Sequence, residues 1–423
     1  MLPVTSKSDR HLGVGIVGLG DRGCFVLGAR INELERETGL SIRALCDTNP
    51  ARLHDAASFL AAGAAGERKP QDFHLYHDFR DLIADPAVDF ILITNHTYAH
   101  REPTVAALRS GKRVYLDKPI AVTLEDALEI VATERATGNR VIMGFTRRYE
   151  ATWQHAYRLL QDGAIGDLQM MQIRSVIPYT RYLQMWHREL RFSGGALNDK
   201  SSHHMDAFTW FAGSHCETVI AMGGRSGIFA PDPSAPPYCA VCDRVCPYRR
   251  QAGSAWNKEG SQVLDYRSWA EAEGVLDRAD TCVYLPGSDI EDHVIATYRY
   301  ANGVVANLFW TIFGPAADDQ ETLELVGSRG RLLMTRSTGT IDLIGDFGRR
   351  RRTIDARGSD FSSSHYGADL ELVRTLRRFA DGGVAPAGAV DGLSSLRMIE
   401  ATRASLRADG QPQFLTAHSE VAQ

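Results

Sequence analysis

The sequence predicts an α/β protein: a doubly wound parallel sheet first, then an α+β domain with a mostly antiparallel, open sheet. Three observations carry this expectation. Short apolar runs alternate with helical patterns through the first 145 residues, as strands joined by crossover helices do. A glycine-rich turn directly follows the first of those runs. From Thr218 onward strand patterns dominate, in "ETVIAMGG", "DHVIATYRYANGVVANLFWTIF", "ETLELVGSRGRLLMTR" and "TIDLIG".

The elements follow in order. Gly13 to Val17 and Ser41 to Cys46 read as the first two strands. Val88 to Thr94, "VDFILIT", is continuously apolar, as a strand buried on both faces must be. Arg113 to Leu116 and Arg140 to Phe145 read as two more, with a helix over Leu124 to Thr137 between them. Residues 1–145 are thus expected to form one domain and 146–423 the second. The second opens with a helix over Thr152 to Asp162, stopped by Gly163, and a strand over Gln169 to Pro178. Asn302-Gly303 between two strand patterns is a hairpin signal. Residues 231–268, rich in Pro, Gly, Cys and charge, read as an inserted loop. A final helix over Gly392 to Ala408 is expected to pack back on the body.

Composition narrows the function. A chain of 423 residues with 44% apolar content can build two or three cores. Its net charge of −5 implies no basic face and argues against nucleic acid as a partner. No apolar run reaches the roughly 18 residues of a membrane span, and "MLPVTSKSDRHLG" lacks an export signal. A cytoplasmic location without a membrane partner is therefore expected. Seven cysteines are too few for a disulfide scaffold in so long a chain.

Gly18, Gly20 and Gly23 form a G-x-G-x-x-G turn between a strand and a helix. The first glycine allows the tight turn, the second a close approach by a pyrophosphate, and the third close helix–strand packing. Asp47 ends the next strand, where a carboxylate bonds ribose hydroxyls and repels a 2′-phosphate. The cofactor expected of this Rossmann arrangement is NAD rather than NADP. Lys118, in Asp117-Lys118-Pro119, follows a further strand at the carboxyl end of the sheet, where sites of open parallel sheets lie. Position alone leaves an ordinary exposed lysine equally open.

The glycine loop, "TNHTYAHREPTVAALRSGKRVYLDKP", "GFTRRYEATWQ" with "LLQDGAIGDL", and "GGALNDKSSHHMDAFTWFAG" occur in this order. Together they resemble the Gfo/Idh/MocA oxidoreductases, over about residues 12 to 405. The resemblance implies an NAD(P)-binding domain and a second domain whose open sheet serves oligomerisation, so a homodimer or homotetramer is expected. It carries the catalytic lysine onto Lys118 and an Asp-x-x-x-His pair onto Asp199 and His203, and places Asn95 and His96 at the cofactor. Asp117 stands where the related proteins usually have glutamate.

If residues 199–211 are helical, Asp199, His203 and Asp206 share one face. Lys200 and His204 share the adjacent one, and Met205, Phe208 and Ala212 anchor the helix. Oxidising an alcohol carbon requires a proton acceptor for the hydroxyl, and histidine suits that role. The expected roles are His203 as base, Asp199 as its orienting partner, and Lys118 as a donor to the reacting oxygen. A solvated helix start is the alternative. Lys200 and His204 are expected to meet substrate.

Tyr179, Arg181, Tyr182, Trp186, His187, Arg188 and Arg191 precede that helix, and Arg147, Arg148 and Tyr149 end the first domain. Aromatic faces and guanidinium groups suit an anionic sugar. Arg148, Tyr149, Tyr179, Arg181, Trp186, His187 and Arg191 are the expected substrate contacts; ordinary surface arginines are the other possibility. Two reactions fit: net dehydrogenation or reduction of a sugar or polyol, and redox-neutral cleavage of a glycoside through a transient ketone, as in NAD-dependent sulfoquinovosidases. An NAD(H)-sensing regulator is a third reading and would need a degraded catalytic set. Finally, Cys239, Cys242 and Cys246 cluster, with Cys282 further on. Four thiolates can close a structural zinc site; part of an iron–sulfur motif and plain reduced cysteines are the alternatives.

Overall fold

The computed structural model describes residues 11–63, 68–138, 140–249 and 280–416. Strands β1 (Leu12–Val17), β2 (Leu40–Cys46), β3 (His74–Tyr76), β4 (Phe90–Ile93), β5 (Arg113–Leu116) and β6 (Val141–Met143) form one sheet in the order β3-β2-β1-β4-β5-β6. All its pairings are parallel. This order reverses direction between β1 and β4, which opens the crevice where such sheets bind dinucleotides. The sequence pattern supplies five of the six strands. The one it misses, β3, is a three-residue edge strand with exposed side chains, too short for a period to register.

The second sheet has nine strands: β7 (Leu168–Val176), β8 (Cys216–Gly224), β9 (His293–Tyr300), β10 (Val305–Thr311), β11 (Glu321–Gly327), β12 (Arg331–Thr335), β13 (Thr340–Gly345), β14 (Arg350–Asp355) and β15 (Gln413–Phe414). Their order is β14-β13-β12-β11-β7-β10-β9-β8-β15. Only β7 and β10 pair in parallel; the remaining pairs are antiparallel. Buried and exposed side chains alternate along β9, the signature of a sheet packed on one face. The Asn302-Gly303 hairpin forms as expected, with Gly303 at φ +87°.

The helix expected over 199–211 runs from Gly195 to Ala212. Left-handed Gly194 and Gly195 set its start, and Gly213 its end. Most of its residues are buried, charged ones included. Two contacts explain this: Asn198 donates to the Ala121 carbonyl (3.1 Å), and Ser395 donates to the Ser202 carbonyl (3.0 Å). The helix is wedged between the parallel sheet's loops and the last long helix, Ala389–Arg407. That last helix and Ala368–Ala380 return to the first sheet. Leu372, Val373, Leu376 and Phe379 join its core on one side, and Ala389, Leu393 and Leu396 on the other. Met398, Ile399 and Ala401 then enter the core of the second sheet. Of the inserted loop, residues 231–249 are described and 250–268 lie outside the described residues. Among the described residues no helix is long and apolar enough to cross a membrane.

Candidate active site

The glycine loop follows β1 and turns into a helix at Asp21. Gly18 adopts φ +90°, and a Cβ there would lie 2.4 Å from the Asn95 nitrogen. A Cβ on Gly23 would lie 2.2 Å from the Gly18 carbonyl oxygen. Gly20 differs: its missing Cβ points into space that no protein atom occupies within 4 Å. The loop is therefore closed against its own chain and bare on one side, as a pyrophosphate cradle must be. Asp47 caps it from β2. One carboxylate oxygen accepts from the Leu19 amide (2.9 Å) and the other from the Asn49 amide (3.0 Å). A carboxylate accepts about four hydrogen bonds, so capacity is left for ribose hydroxyls. These residues fit NAD.

Arg22 ties the loop to the rest of the site. Its guanidinium meets Asp369 at 2.5 Å and Asp117 at 3.4 Å, and Tyr115 donates to Asp117 at 2.8 Å. The shortened carboxylate at 117 thus has a defined partner. Asn95 donates to the Ala99 carbonyl (2.9 Å). The His96 ring lies edge-on to Trp186 and stacks on Tyr98, with centroids at 4.9 and 5.7 Å. Burial pushes the His96 imidazole down to about 3. His96 thereby links the cofactor side of the crevice to the 180–191 segment.

Lys118 reaches from the end of β5 to the Gly195–Ala212 helix. Its ammonium donates to the Asp199 carbonyl oxygen (2.8 Å) and to Asp199 Oδ1 (3.1 Å). Tyr182 donates to Asp199 Oδ2 at 2.5 Å. Burial alone would raise the Asp199 carboxyl, but Lys118, His187 and the Tyr182 hydrogen bond together hold it well below the usual carboxylate range. Both Asp199 oxygens are therefore taken by Lys118 and Tyr182. The expected orienting bond from Asp199 to His203 does not form: the His203 Nδ1 is buried without a hydrogen-bond partner. Helical spacing put the two on one face, yet the shared face orients Asp199 outward toward β5, a direction set by the other domain. Burial, with the charges of Arg147, Lys118 and Lys200, holds the His203 imidazole well below its ordinary value. It is neutral at neutral pH.

The remaining expected contacts divide. Arg181 lies over the Tyr179 and Tyr182 rings at 4.8 and 5.6 Å, and the Lys200 ammonium is 5.3 Å from the Tyr179 centroid. His187 stacks on Trp186 at 4.0 Å and meets Tyr182 edge-on at 5.4 Å. Burial pushes it down to about 4. Of these side chains Tyr182, His187 and Arg181 act directly on the Asp199 carboxylate. Others are committed elsewhere. Arg148 makes a two-pronged pair with Asp206 (3.0 and 2.8 Å) and donates to the Pro386 carbonyl. Asp206 consequently turns away from His203. Tyr149 is buried in the core of the parallel sheet. Arg188 donates to the Leu285 and Pro286 carbonyls. Arg191 is exposed and paired with Glu189 at 2.8 Å. Arg148, Tyr149 and Arg191 are thus structural or superficial, and the expectation that they meet substrate is set aside.

Beneath the helix lies a charge network that sequence spacing did not suggest. Glu321 meets Arg147 (2.6 Å), Lys200 (3.4 Å) and Arg336 (3.6 Å), and Arg336 also pairs with Glu150 (2.7 Å). His204, fully buried here, contacts Ser201 (3.2 Å), and burial pushes it down to about 3. The network anchors Lys200 and His204 from below. Its acids and bases come from a helix, a strand and the turns between elements, so no local motif announces it. Tyr182 is the other residue undervalued from sequence, where only its place in the aromatic run was visible.

The four clustered cysteines are free thiols, and all four line one cavity of about 250 Å³. Among the described residues no three His, Cys, Asp or Glu side chains stand close enough together to hold a metal ion. The expected zinc centre is not preformed.

Residues 12–145 match the NAD-binding Rossmann domain of an oxidoreductase family, and residues 158–412 match the C-terminal alpha/beta domain of the same family. Inositol 2-dehydrogenase of Salmonella typhimurium is 29% identical over 213 residues, 49% of this chain and 56% of that protein. Inositol 2-dehydrogenase 3 of Saccharopolyspora erythraea is 31% identical over 202 residues, 47% of this chain and 52% of that protein. The chain thus aligns with little more than half the length of these relatives. Among solved structures, levoglucosan dehydrogenase in complex with NADH and levoglucosan has a TM-score of 0.73 at 17% identity, covering 96% of this chain and 100% of the other. Aldose-aldose oxidoreductase from Caulobacter crescentus has a TM-score of 0.67 at 19% identity, with the same coverage. At that identity the structures establish the fold. Two consecutive domain matches, one of them spanning more than half of the chain, establish more: the protein belongs to the Gfo/Idh/MocA oxidoreductase family.

Proposed function

We propose that the protein is an NAD-dependent dehydrogenase acting at a ring hydroxyl of a sugar or sugar derivative, with Lys118, Asp199 and His203 as its working residues. The observation that carries this reading is the Lys118 ammonium, held by the Asp199 carbonyl and carboxylate beside an uncharged His203. An ammonium has three donors, and two are spent on Asp199. The third is left for a substrate oxygen. Bound NAD⁺ would supply the hydride acceptor. Lys118 stabilises the negative charge that grows on the hydroxyl oxygen as its proton leaves. The His203 imidazole takes that proton. Asp199 fixes Lys118 rather than the histidine, and Tyr182 fixes Asp199. Gly18, Gly20, Gly23 and Asp47 hold the dinucleotide, with Asn95 and His96 at its nicotinamide side.

The proposed substrate is anionic. Support comes from Arg181 and Lys200, two cations brought to the same Tyr179 ring. Redox-neutral glycoside cleavage is the second reading. One observation favours it: Lys200 and Arg181 lower the Tyr179 phenol, which supplies an acid beyond Lys118 and His203. A row of exposed apolar side chains, Met222, Ile295 and Phe309, crosses β8, β9 and β10 in register and supports assembly of copies through the open sheet. The test of function is incubation with NAD⁺ and a panel of sugars, polyols and glycosides, following both NADH absorbance and products. Sustained NADH formation is the expected result. Sugar release at constant NADH would replace it with the cleavage reaction. NADH binding without turnover on any sugar would overturn both in favour of a sensor.

A further inference from the structure

We propose that His365 is a further substrate-contacting residue of this crevice, its Nε2 accepting a hydrogen bond from a sugar hydroxyl other than the one oxidised. This contact rests on the sugar dehydrogenase reading above and adds a specificity-determining residue to it. His365 lies in the turn Ser364–Gly367, just ahead of the Ala368–Ala380 helix. His365 and Tyr366 are successive non-glycine residues in the left-handed region, at φ +49° and +53°. Residues with side chains rarely adopt that conformation, and they hold it only where surrounding contacts force it. Here the contacts come from both sides. Asp369 accepts from Ser364 and from His365 Nδ1 (2.7 Å), and Arg22 of the glycine loop grips the same carboxylate (2.5 Å). Arg22 also meets Asp117 (3.4 Å), the neighbour of Lys118. On the other side the Tyr366 ring lies under Arg336 (4.6 Å), which reaches Glu321 and, through it, Lys200. The turn is thus tied at one end to the cofactor loop and at the other to the cluster around Tyr179.

The His365–Asp369 pair fixes what the imidazole can offer. Burial alone would raise the Asp369 carboxyl, but Arg22 and the bonds from His365 and Ser364 hold it well below the usual carboxylate range. An ionised carboxylate only accepts, so the proton of a neutral His365 imidazole sits on Nδ1. Nε2 then carries a lone pair and is an acceptor. A sugar hydroxyl is the donor that suits it; an anionic substituent is not. Asp369 is buried, whereas the His365 side chain is 43% exposed. The pair is therefore fixed at its root and open at its tip. Desolvation in the crevice raises the Asp21 carboxyl, and Arg181, Arg22 and His365 oppose the rise. The glycine loop, the substrate segment and His365 thus converge on one space. In it Arg181 and Lys200 attract the charged substituent, and His365 reads a hydroxyl.

The test compares a sugar oxidised in the panel above with its singly deoxygenated analogues, on the unaltered protein and on His365→Asn. Asparagine tolerates the left-handed backbone and can still donate to Asp369, but it lacks the reach of Nε2. With the unaltered protein, kcat/KM should fall about three- to tenfold for one analogue that lacks a hydroxyl away from the reacting carbon. His365→Asn should lose about as much with the full sugar and nothing further with that analogue, while NADH affinity stays within about twofold. An equal loss with the full sugar and every analogue is the mark of a merely structural role and overturns the proposal. A loss confined to NADH affinity assigns His365 to the cofactor and overturns it too. A second measurement uses only the unaltered protein. Diethyl pyrocarbonate acylates an unprotonated imidazole nitrogen, and peptide mapping should show His365 shielded when the sugar is added to the NADH-bound protein. Acylation at an unchanged rate overturns the proposal. If no sugar in the panel is oxidised or bound, the dehydrogenase reading falls and this contact with it; an oxidised sugar that shows no coupling to His365 removes this contact alone.

Discussion

Tyr182→Phe isolates the contact that distinguishes this site from a simple lysine–histidine pair. The substitution removes one oxygen from a ring that is buried and packed edge-on against His187. Volume is nearly kept, so the fold should persist. What is lost is a 2.5 Å hydrogen bond to Asp199 Oδ2. Bonds to charged acceptors contribute about 1.5–3 kcal/mol. If Asp199 orients Lys118 in the transition state, that loss lowers kcat/KM about 10- to 100-fold. The Asp199 carboxyl should also titrate higher, because the tyrosine bond is among the contacts holding it down. With Lys118 still beside it, Asp199 remains ionised from pH 5 to 9, so the loss should be the same across that range. NADH affinity should stay within about twofold, since the Tyr182 hydroxyl bonds Asp199 and not the glycine loop. The assay is initial-rate NADH formation from pH 5 to 9 with a sugar found active in the panel. A variant with kcat/KM within twofold of the parent would refute the positioning role of Tyr182.

Lys118→Ala and His203→Ala should each lower turnover by about 10²-fold or more with little change in NADH binding; near-normal turnover in either removes that residue from the mechanism. Asp47→Ala should narrow the preference for NAD over NADP by at least about tenfold, about 1.4 kcal/mol, measured by fluorescence titration with both reduced nucleotides. Equal binding of the two by the parent protein would discard the role of Asp47. His203 and His204 are buried within the fold and, like His96 and His187, held neutral, so the unfolded chain takes up protons below about pH 6.5 that the folded one refuses. Stability is therefore complete above that pH and falls on acidification, by about 1.4 kcal/mol per histidine at pH 5.5. Denaturant unfolding at pH 7.5 and 5.5 measures the loss, and His204→Gln should reduce it by about 1.4 kcal/mol; an unchanged loss would contradict a neutral buried His204. Arg181→Ala should erase a preference for a carboxylated or sulfonated pyranoside over its neutral counterpart, a matter of about ten- to a hundredfold in kcat/KM, and a parent enzyme without that preference would end the anionic reading.

The parallel sheet was legible because its determinants are local. A strand buried on both faces must be continuously apolar, and "FILI" of β4 is; a glycine whose Cβ would strike the next loop must be glycine, and Gly18 and Gly23 are. The strand that escaped notice, β3, has neither property. The return of Ala368–Ala380 to the first sheet was invisible for a different reason. Its apolar stripe of Leu372, Val373, Leu376 and Phe379 says that one face is buried but not against which domain.

The site shows the same boundary more sharply. Spacing along one helix put Asp199, His203 and Asp206 on a common face, and that much is geometry. Spacing could not say which way the face looks. Lys118 from the first domain and Tyr182 from the preceding segment claim Asp199, Arg148 claims Asp206, and His203 is left with a buried, unpartnered Nδ1. Each partner lies between 17 and 81 residues away. A carboxylate buried beside an ammonium and a phenol has only one low-energy protonation state, so these distant partners decide its chemistry. That is why the three residue identities were readable from sequence while their division of labour was not. In the proposed reaction Asp199 accordingly holds the lysine's charge in place, and the histidine acts without an orienting carboxylate.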